Sequence, residues 1–119
     1  LLHTLSGHLS EVFGAIELSD GNIVSWSPDD IRLWGQEGTL LKILTGHTSI
    51  IDDVIEMRDG RILSWAWDNT LRIWDSEGNP ITVFSGHADW VNGALELQDG
   101  QILSWSRDAT LRIWQDYPN

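Results

Sequence analysis

The 119-residue chain has no cysteine, one tyrosine, two phenylalanines and three prolines. Without cysteine it can form no disulfide and no thiolate metal site, which excludes zinc-finger readings and leaves the redox compartment open. Basic residues are scarce as well: 7 Lys and Arg against 18 Asp and Glu give a formal charge of -11. Such a surface repels phosphate backbones and anionic headgroups, so no nucleic acid and no membrane is expected as a partner, and basic or neutral partners fit better. No apolar run approaches the ~18 residues of a membrane-spanning helix, and the opening LLHTLSGH lacks the regions of a signal peptide, which makes the cytoplasm the expected setting. The chain begins at Leu1 instead of Met, which suggests a segment of a longer protein. It carries no Gly-rich phosphate loop and no recognisable catalytic motif, so no cofactor is expected.

What the chain has in abundance is tryptophan, with eight residues, and these recur at a fixed interval. Trp34, Trp74 and Trp114 close the segments IRLW, LRIW and LRIW at steps of 40 and 40. Gly7-His8, Gly46-His47 and Gly86-His87 follow at steps of 39 and 40, and Ser25-Trp26, Ser64-Trp65 and Ser104-Trp105 keep the same period. Asp20-Gly21, Asp59-Gly60 and Asp99-Gly100 each sit between apolar-rich runs, the signal for a two-residue hairpin turn with positive φ. The whole chain, 1–119, therefore divides into three units, roughly 6–40, 41–80 and 81–119, preceded by a strand over 1–5.

Within the third unit the runs VNGALEL, QILSWS and TLRIW are short, rich in β-branched or large apolar residues, and separated by the turn formers QDG and RDA. They predict antiparallel strands a, b and c. The runs LLHTL, TLLKIL and ITVF ahead of each Gly-His predict a further strand, d. Four antiparallel strands per repeat, with Gly-His near one end and Trp-Asp at the other, resemble the WD-repeat family over essentially the full chain. The middle unit keeps the complete Gly46-His47 to Trp74-Asp75 pattern, whereas the others end in Trp34-Gly35 and Trp114-Gln115. The resemblance implies an all-β fold: a β-propeller of four-stranded antiparallel blades, three per chain, with the ring completed by oligomerisation.

Each unit carries a His, a Ser and an Asp, which invites comparison with a hydrolase triad. The resemblance implies a structural tetrad instead, formed by His47, Ser64, Asp68 and Trp74 and again by His87, Ser104, Asp108 and Trp114. Three repetitions of one arrangement suit a building element better than an active site, so no catalytic residue and no metal ligand is assigned. In the first unit SWSPDDIRLW is one residue short. Counting forward from Ser25 gives Asp29 and counting back from Trp34 gives Pro28, which has no carboxylate; the first tetrad is therefore read as His8, Ser25, Asp29 and Trp34, with Asp30 as the alternative carboxylate.

Propellers typically have about 4 to 8 blades, and three cannot close a ring with their faces packed. The chain also opens with a d strand and ends with a c strand, so head-to-tail pairing between copies would satisfy both edges. The expected homo-oligomer is a six-bladed dimer or a nine-bladed trimer. A nine-blade ring needs a wedge of about 40° per blade, close to the ~45° of eight blades, whereas six blades need about 60°. The smaller distortion makes the trimer the preferred expectation, although six blades lie within the usual range and nine outside it. The second residue of each Ser-Trp pair is usually small in relatives, and its bulk here bears on the wedge.

The resemblance further places a protein or peptide partner on the top face, at three positions per blade: Glu11, Phe13 and Pro28, then Ile50, Asp52 and Trp67, then Trp90, Asn92 and Arg107. These differ among units while the framework repeats, and Phe13, Ile50, Trp67 and Trp90 have the large apolar surfaces of binding hot spots. Trp90 and Ile50 fit packing against the neighbouring blade equally well, while Trp67 is expected to be exposed. Glu17, Glu56 and Glu96 repeat on strand a and are expected to pair with Arg32, Arg72 and Arg112 or to line a solvated channel. His3, with equivalents Lys42 and Thr82, reads as a solvated strand residue. Two functions are therefore expected in order: a non-catalytic interaction scaffold that assembles into a closed propeller and presents its top face, or a purely structural propeller building block with no partner but itself.

Overall fold

A computed structural model describes residues 1–115. Its strands, in chain order, are β1 (Gly14–Glu17), β2 (Ile23–Trp26), β3 (Ile31–Trp34), β4 (Leu40–Leu44), β5 (Ile51–Glu56), β6 (Ile62–Ala66), β7 (Thr70–Trp74), β8 (Pro80–Ser85), β9 (Val91–Glu96), β10 (Ile102–Ser106) and β11 (Leu111–Trp114). They form three antiparallel sheets, β1-β2-β3-β4, β5-β6-β7-β8 and the three-stranded β9-β10-β11. Each sheet is a blade, and in the two four-stranded ones the outermost strand, β4 or β8, is contributed by the run ahead of the next Gly-His.

The a-to-b hairpins differ from the two-residue turn expected of Asp-Gly. Leu97 N donates to Gln101 O at 2.7 Å and Gly100 N to Leu97 O at 3.0 Å, so the loop has three residues, Gln98, Asp99 and Gly100. Only Gly100, at φ 90°, is left-handed. Asp99 stays at negative φ because its Oδ1 accepts the Gln101 N–H at 3.0 Å, which closes the turn from the side chain and leaves the left-handed step to glycine. Asp20 and Asp59 do the same for Asn22 and Arg61.

Successive blades stack face to face. Leu18, Val24, Trp26, Ile31, Leu33 and Leu44 of the first pack on Ile51, Val54, Ile62, Ala66 and Trp74 of the second. Met57, Leu63, Trp65, Leu71, Ile73 and Phe84 of the second then pack on Val91, Ala94 and Ile102 of the third. The strand-b tryptophans Trp26 and Trp65 fill the space between blades. Gly14 and Gly93 lie directly across the ladder from Trp26 and Trp105, and the indoles lie flat against them where a Cβ would collide. At the equivalent place in the second blade stands Asp53, and there the indole Nε1 of Trp65 donates to Asp52 at 3.1 Å.

The two ends of this stack are open. Leu111 and Ile113 are 69% and 62% exposed, whereas their equivalents Leu71 and Ile73 are fully buried. Trp105 is 38% exposed against 3% for Trp65. At the other end the expected d strand over 1–5 forms no strand, because no c strand of this chain lies beside it. It is nevertheless placed like one. A Cβ on Gly38 would lie 3.4 Å from both His3 and Leu5, just as one on Gly78 would lie 3.1–3.3 Å from Leu44 and Lys42 of β4. Residues 3–5 thus occupy the site of a preceding blade's outer strand. The side chain of His3 is exposed, in keeping with its reading from sequence.

Among the described residues, two that are not glycine adopt left-handed backbone: Asn69 at φ 70° and Ala109 at φ 71°, in the b-to-c turns of the second and third blades. Asn tolerates this region and Ala does not. Ala109→Gly is therefore expected to stabilise the chain by about 0.5–1 kcal/mol in urea denaturation, with no change in the secondary-structure spectrum.

Candidate functional site

The repeated polar cluster is buried in each blade and its donors leave one consistent arrangement. Trp74 Nε1 can only donate, and it does so to Ser64 Oγ at 3.0 Å; the Ser64 hydroxyl hydrogen then goes to His47 Nε2 at 2.8 Å. His47 therefore carries its proton on Nδ1 and donates it to Asp68 Oδ2 at 2.8 Å. Asp68 also accepts the Thr70 hydroxyl at 2.6 Å and the N–H groups of Thr48 and Thr70, both at 3.0 Å. The third blade repeats every bond: Trp114 to Ser104 at 2.8 Å, Ser104 with His87 at 2.7 Å, His87 with Asp108 at 2.9 Å and Thr110 to Asp108 at 2.6 Å. A nucleophile must reach its substrate, yet Ser64 and Ser104 are fully buried with both hydroxyl bonds already engaged. The cluster ties strands b and c to the loop that enters strand a.

In the first blade the carboxylate is Asp30, and the assignment to Asp29 is corrected. His8 Nδ1 lies 2.6 Å from Asp30 Oδ1 and His8 Nε2 lies 2.6 Å from Ser25 Oγ, which accepts the Trp34 Nε1–H at 2.9 Å. The reason is the missing turn residue. Counted back from the strand-c tryptophan, Asp30 stands where Thr70 stands in the second blade, so a carboxylate replaces the helper hydroxyl and reaches His8 directly. The shortened loop closes as a tight turn, with Ser27 N donating to Asp30 O at 3.0 Å. Asp30 Oδ2 also accepts Arg32 Nε at 2.8 Å. Asp29 points outward and takes a hydrogen bond from Ser10.

These surroundings set the carboxyl groups' acidity. Burial pushes Asp68 up, but the hydrogen bonds of His47, Thr70 and Thr48 outweigh it and hold the group well below the usual carboxylate range. The hydrogen bond of Thr110 is the largest cause of the same depression at Asp108, assisted by Ala88 N–H and His87. Asp30 is lowered too, its burial being outweighed by Arg32 and His8.

The nine top-face positions split by environment. Glu11, Phe13, Asn92 and Arg107 are exposed; Pro28, Ile50, Asp52, Trp67 and Trp90 are half-buried. Asp52 and Asn92 fall at strand-a bulges, which turn their side chains out of the sheet's alternation. Burial makes the Asp52 carboxyl less acidic than usual, an effect that the indole hydrogen bond of Trp65 partly offsets. Trp67 does not stand alone: it stacks on Trp90 of the next blade with centroids 3.7 Å apart and planes 4° from parallel. Arg107 lies over Trp90, its Cζ 4.6 Å from the ring centroid. Pro28 and Ile50 line a cavity of about 250 Å³ with Asp29, His47, Thr48 and Ser49, and Ile51 N crosses between blades to Pro28 O at 3.2 Å.

The strand-a glutamates do not pair with the strand-c arginines as expected. Glu56 accepts the Ser19 N–H at 3.0 and 3.1 Å and the Ser19 hydroxyl at 2.7 Å; Glu96 accepts the Arg58 N–H at 2.8 Å. Each glutamate thus caps the a-to-b turn of the preceding blade. The sequence signal was the periodic Glu itself, but its partner is a backbone amide, which no residue pattern displays. Among the described residues no group of three or more His, Asp or Glu is arranged to hold a metal ion.

Removing one member of a buried tetrad strands the others. His47→Ala and Asp30→Ala are each expected to cost about 1–3 kcal/mol in denaturant melts, while Asp29→Ala leaves the midpoint unchanged. Because the tetrad carboxyls are more acidic folded than unfolded, their stabilisation is present above the ordinary value of 3.8 and is lost as the pH falls through about 4 toward 2. Asp68→Asn is expected to lower stability at pH 7 and to flatten that acid loss, as read from urea midpoints at pH 7 and pH 3.

Comparison with known proteins agrees with this geometry. The family model of the WD domain, G-beta repeat, matches residues 38–75 and 78–115. Among solved structures, the chain is similar to the WD40 β-propeller domain of Doa1, at 26% identity and a TM-score of 0.78, over 92% of this chain and 38% of that one. It is similar to the RRP9 WD40 repeats at 25% identity and a TM-score of 0.81, over 92% and 37%. U3-55K, at 24% identity, has the same fold, with a TM-score of 0.81 over 92% and 37%. No curated protein matches by sequence. The chain spans under two fifths of the length of these propellers. It belongs to the WD40 repeat family, whose propeller domains are generally non-catalytic protein-interaction scaffolds.

Proposed function

We propose that this chain is an interaction scaffold that completes its propeller by joining head to tail with further copies of itself and presents the top face of the ring to a protein or peptide. The observation that carries the reading is the pair of open ends: among the described residues β11 has no fourth strand beside it, and residues 3–5 are placed as an outer strand with no sheet of their own. Each end supplies what the other lacks. Burying what remains exposed of Leu111, Ile113 and Trp105 would stabilise the assembly by about 25 cal/mol per Å² of apolar surface, and an unpaired edge would be removed.

For a partner, exposed Phe13 and Asn92 supply an apolar and a polar contact on the same rim, and the net charge of -11 favours a basic or neutral ligand. The reading as a purely structural building block draws support from the Trp67–Trp90 stack, which spends two of the rim's large aromatic faces on blade packing. Loss of a bound protein on Phe13→Ala, with the oligomer intact, favours the scaffold.

Light scattering of the pure chain is expected to give two or three times 13.4 kDa. Twofold means six blades and threefold nine; a stable monomer up to millimolar concentration contradicts the assembly.

A further inference from the structure

The two blade-to-blade seams within the chain show what a third must contain. On the upper rim the b-to-c turn of one blade meets the entry of strand a in the next. At the first seam these positions are Pro28 and Ile50, which line one cavity; at the second they are Trp67 and Trp90, which stack. Continued once more, the same positions are Arg107 at the free end of the third blade and Glu11 at the free end of the first. Both are exposed and opposite in charge. Arg107 is held near this place by Trp90 beneath it and by Asp89, 3.9 Å from its Nε.

The lower end of each seam repeats a second contact. Glu56 caps the Ser19 N–H and Glu96 caps the Arg58 N–H. The next members of the two series are Glu17, which is exposed and has no partner among the described residues, and Gln98, the residue equivalent to Ser19 and Arg58. One open face therefore carries two carboxylates, Glu11 and Glu17, and the other carries a guanidinium and a turn amide at matching positions.

We infer that the seam between copies is keyed by two polar contacts absent from the isolated chain, Arg107 with Glu11 and the Gln98 N–H with Glu17. The partner that fits this surface is a second copy of this chain. This rests on the head-to-tail reading above and adds to it the residues that select this pairing. An unmatched charge in such a seam is costly, so the contacts set register and reject copies docked in other orientations.

Charge reversal tests the pairing. Sedimentation of Glu11→Arg and of Arg107→Glu is expected to show association weakened about tenfold or more, and the doubly reversed variant E11R/R107E is expected to recover it. The double variant is the informative arm, because in a three-copy ring a mixture of the single variants always leaves one mismatched seam. Gln98→Pro removes the turn N–H at a position where proline is favoured, and is expected to weaken association with the thermal stability of the monomer retained. Near-ultraviolet tryptophan spectra monitor folding throughout. If the unmodified chain assembles while the reversals and Gln98→Pro leave its association unchanged, the keyed seam is wrong and head-to-tail assembly stands. If the unmodified chain never assembles, both are wrong.

Discussion

Everything in this molecule depends on blades packing face against face. A four-stranded sheet of this length presents apolar side chains on both sides, and an isolated one would expose them to water. Among the described residues the middle blade alone has both faces covered, and its Leu63, Leu71, Ile73 and Trp74 are correspondingly sealed. The outer blades each have one covered face and one open. Stability here accumulates seam by seam, as expected of a repeat protein whose units contact only their neighbours.

Within a blade the tetrad does a different job. Packing between sheets is tolerant of sliding, but a chain of directed bonds from Trp through Ser and His to Asp is not. It fixes the loop entering strand a against strands b and c. The first blade shows how tolerant the chemistry is and how strict the geometry: when the turn loses a residue, the carboxylate moves to the threonine position, and the bond to the histidine survives at 2.6 Å.

The period, the strands and the second and third tetrads were legible in the sequence, because tryptophan, Gly-His and Asp-Gly each repeat at the same interval. The first tetrad was ambiguous because a deletion can be absorbed at either end of a turn, and only the path of the loop decides between Asp29 and Asp30. The length of the hairpins was not legible, since Asp-Gly serves both a two-residue turn and a three-residue loop in which the aspartate caps a backbone N–H. The partner of Trp67 was not legible, because stacking on Trp90 joins residues 23 apart across two blades. The glutamates hid their role for a related reason: their partner is an amide belonging to whatever residue occupies the preceding turn, Ser19 in one case and Arg58 in another.

Three blades make an incomplete propeller, and in the proposed assembly its edges are finished by another copy. The most direct test is amide hydrogen exchange of Leu111–Trp114 in β11 as a function of protein concentration. At high concentration these amides are expected to be as protected as those of β3 and β7, and on dilution their protection is expected to fall while that of β6 and β7 persists. Equal and rapid exchange of β11 at every concentration, with β6 and β7 protected throughout, would show that the edge stays open and that the chain does not share its propeller.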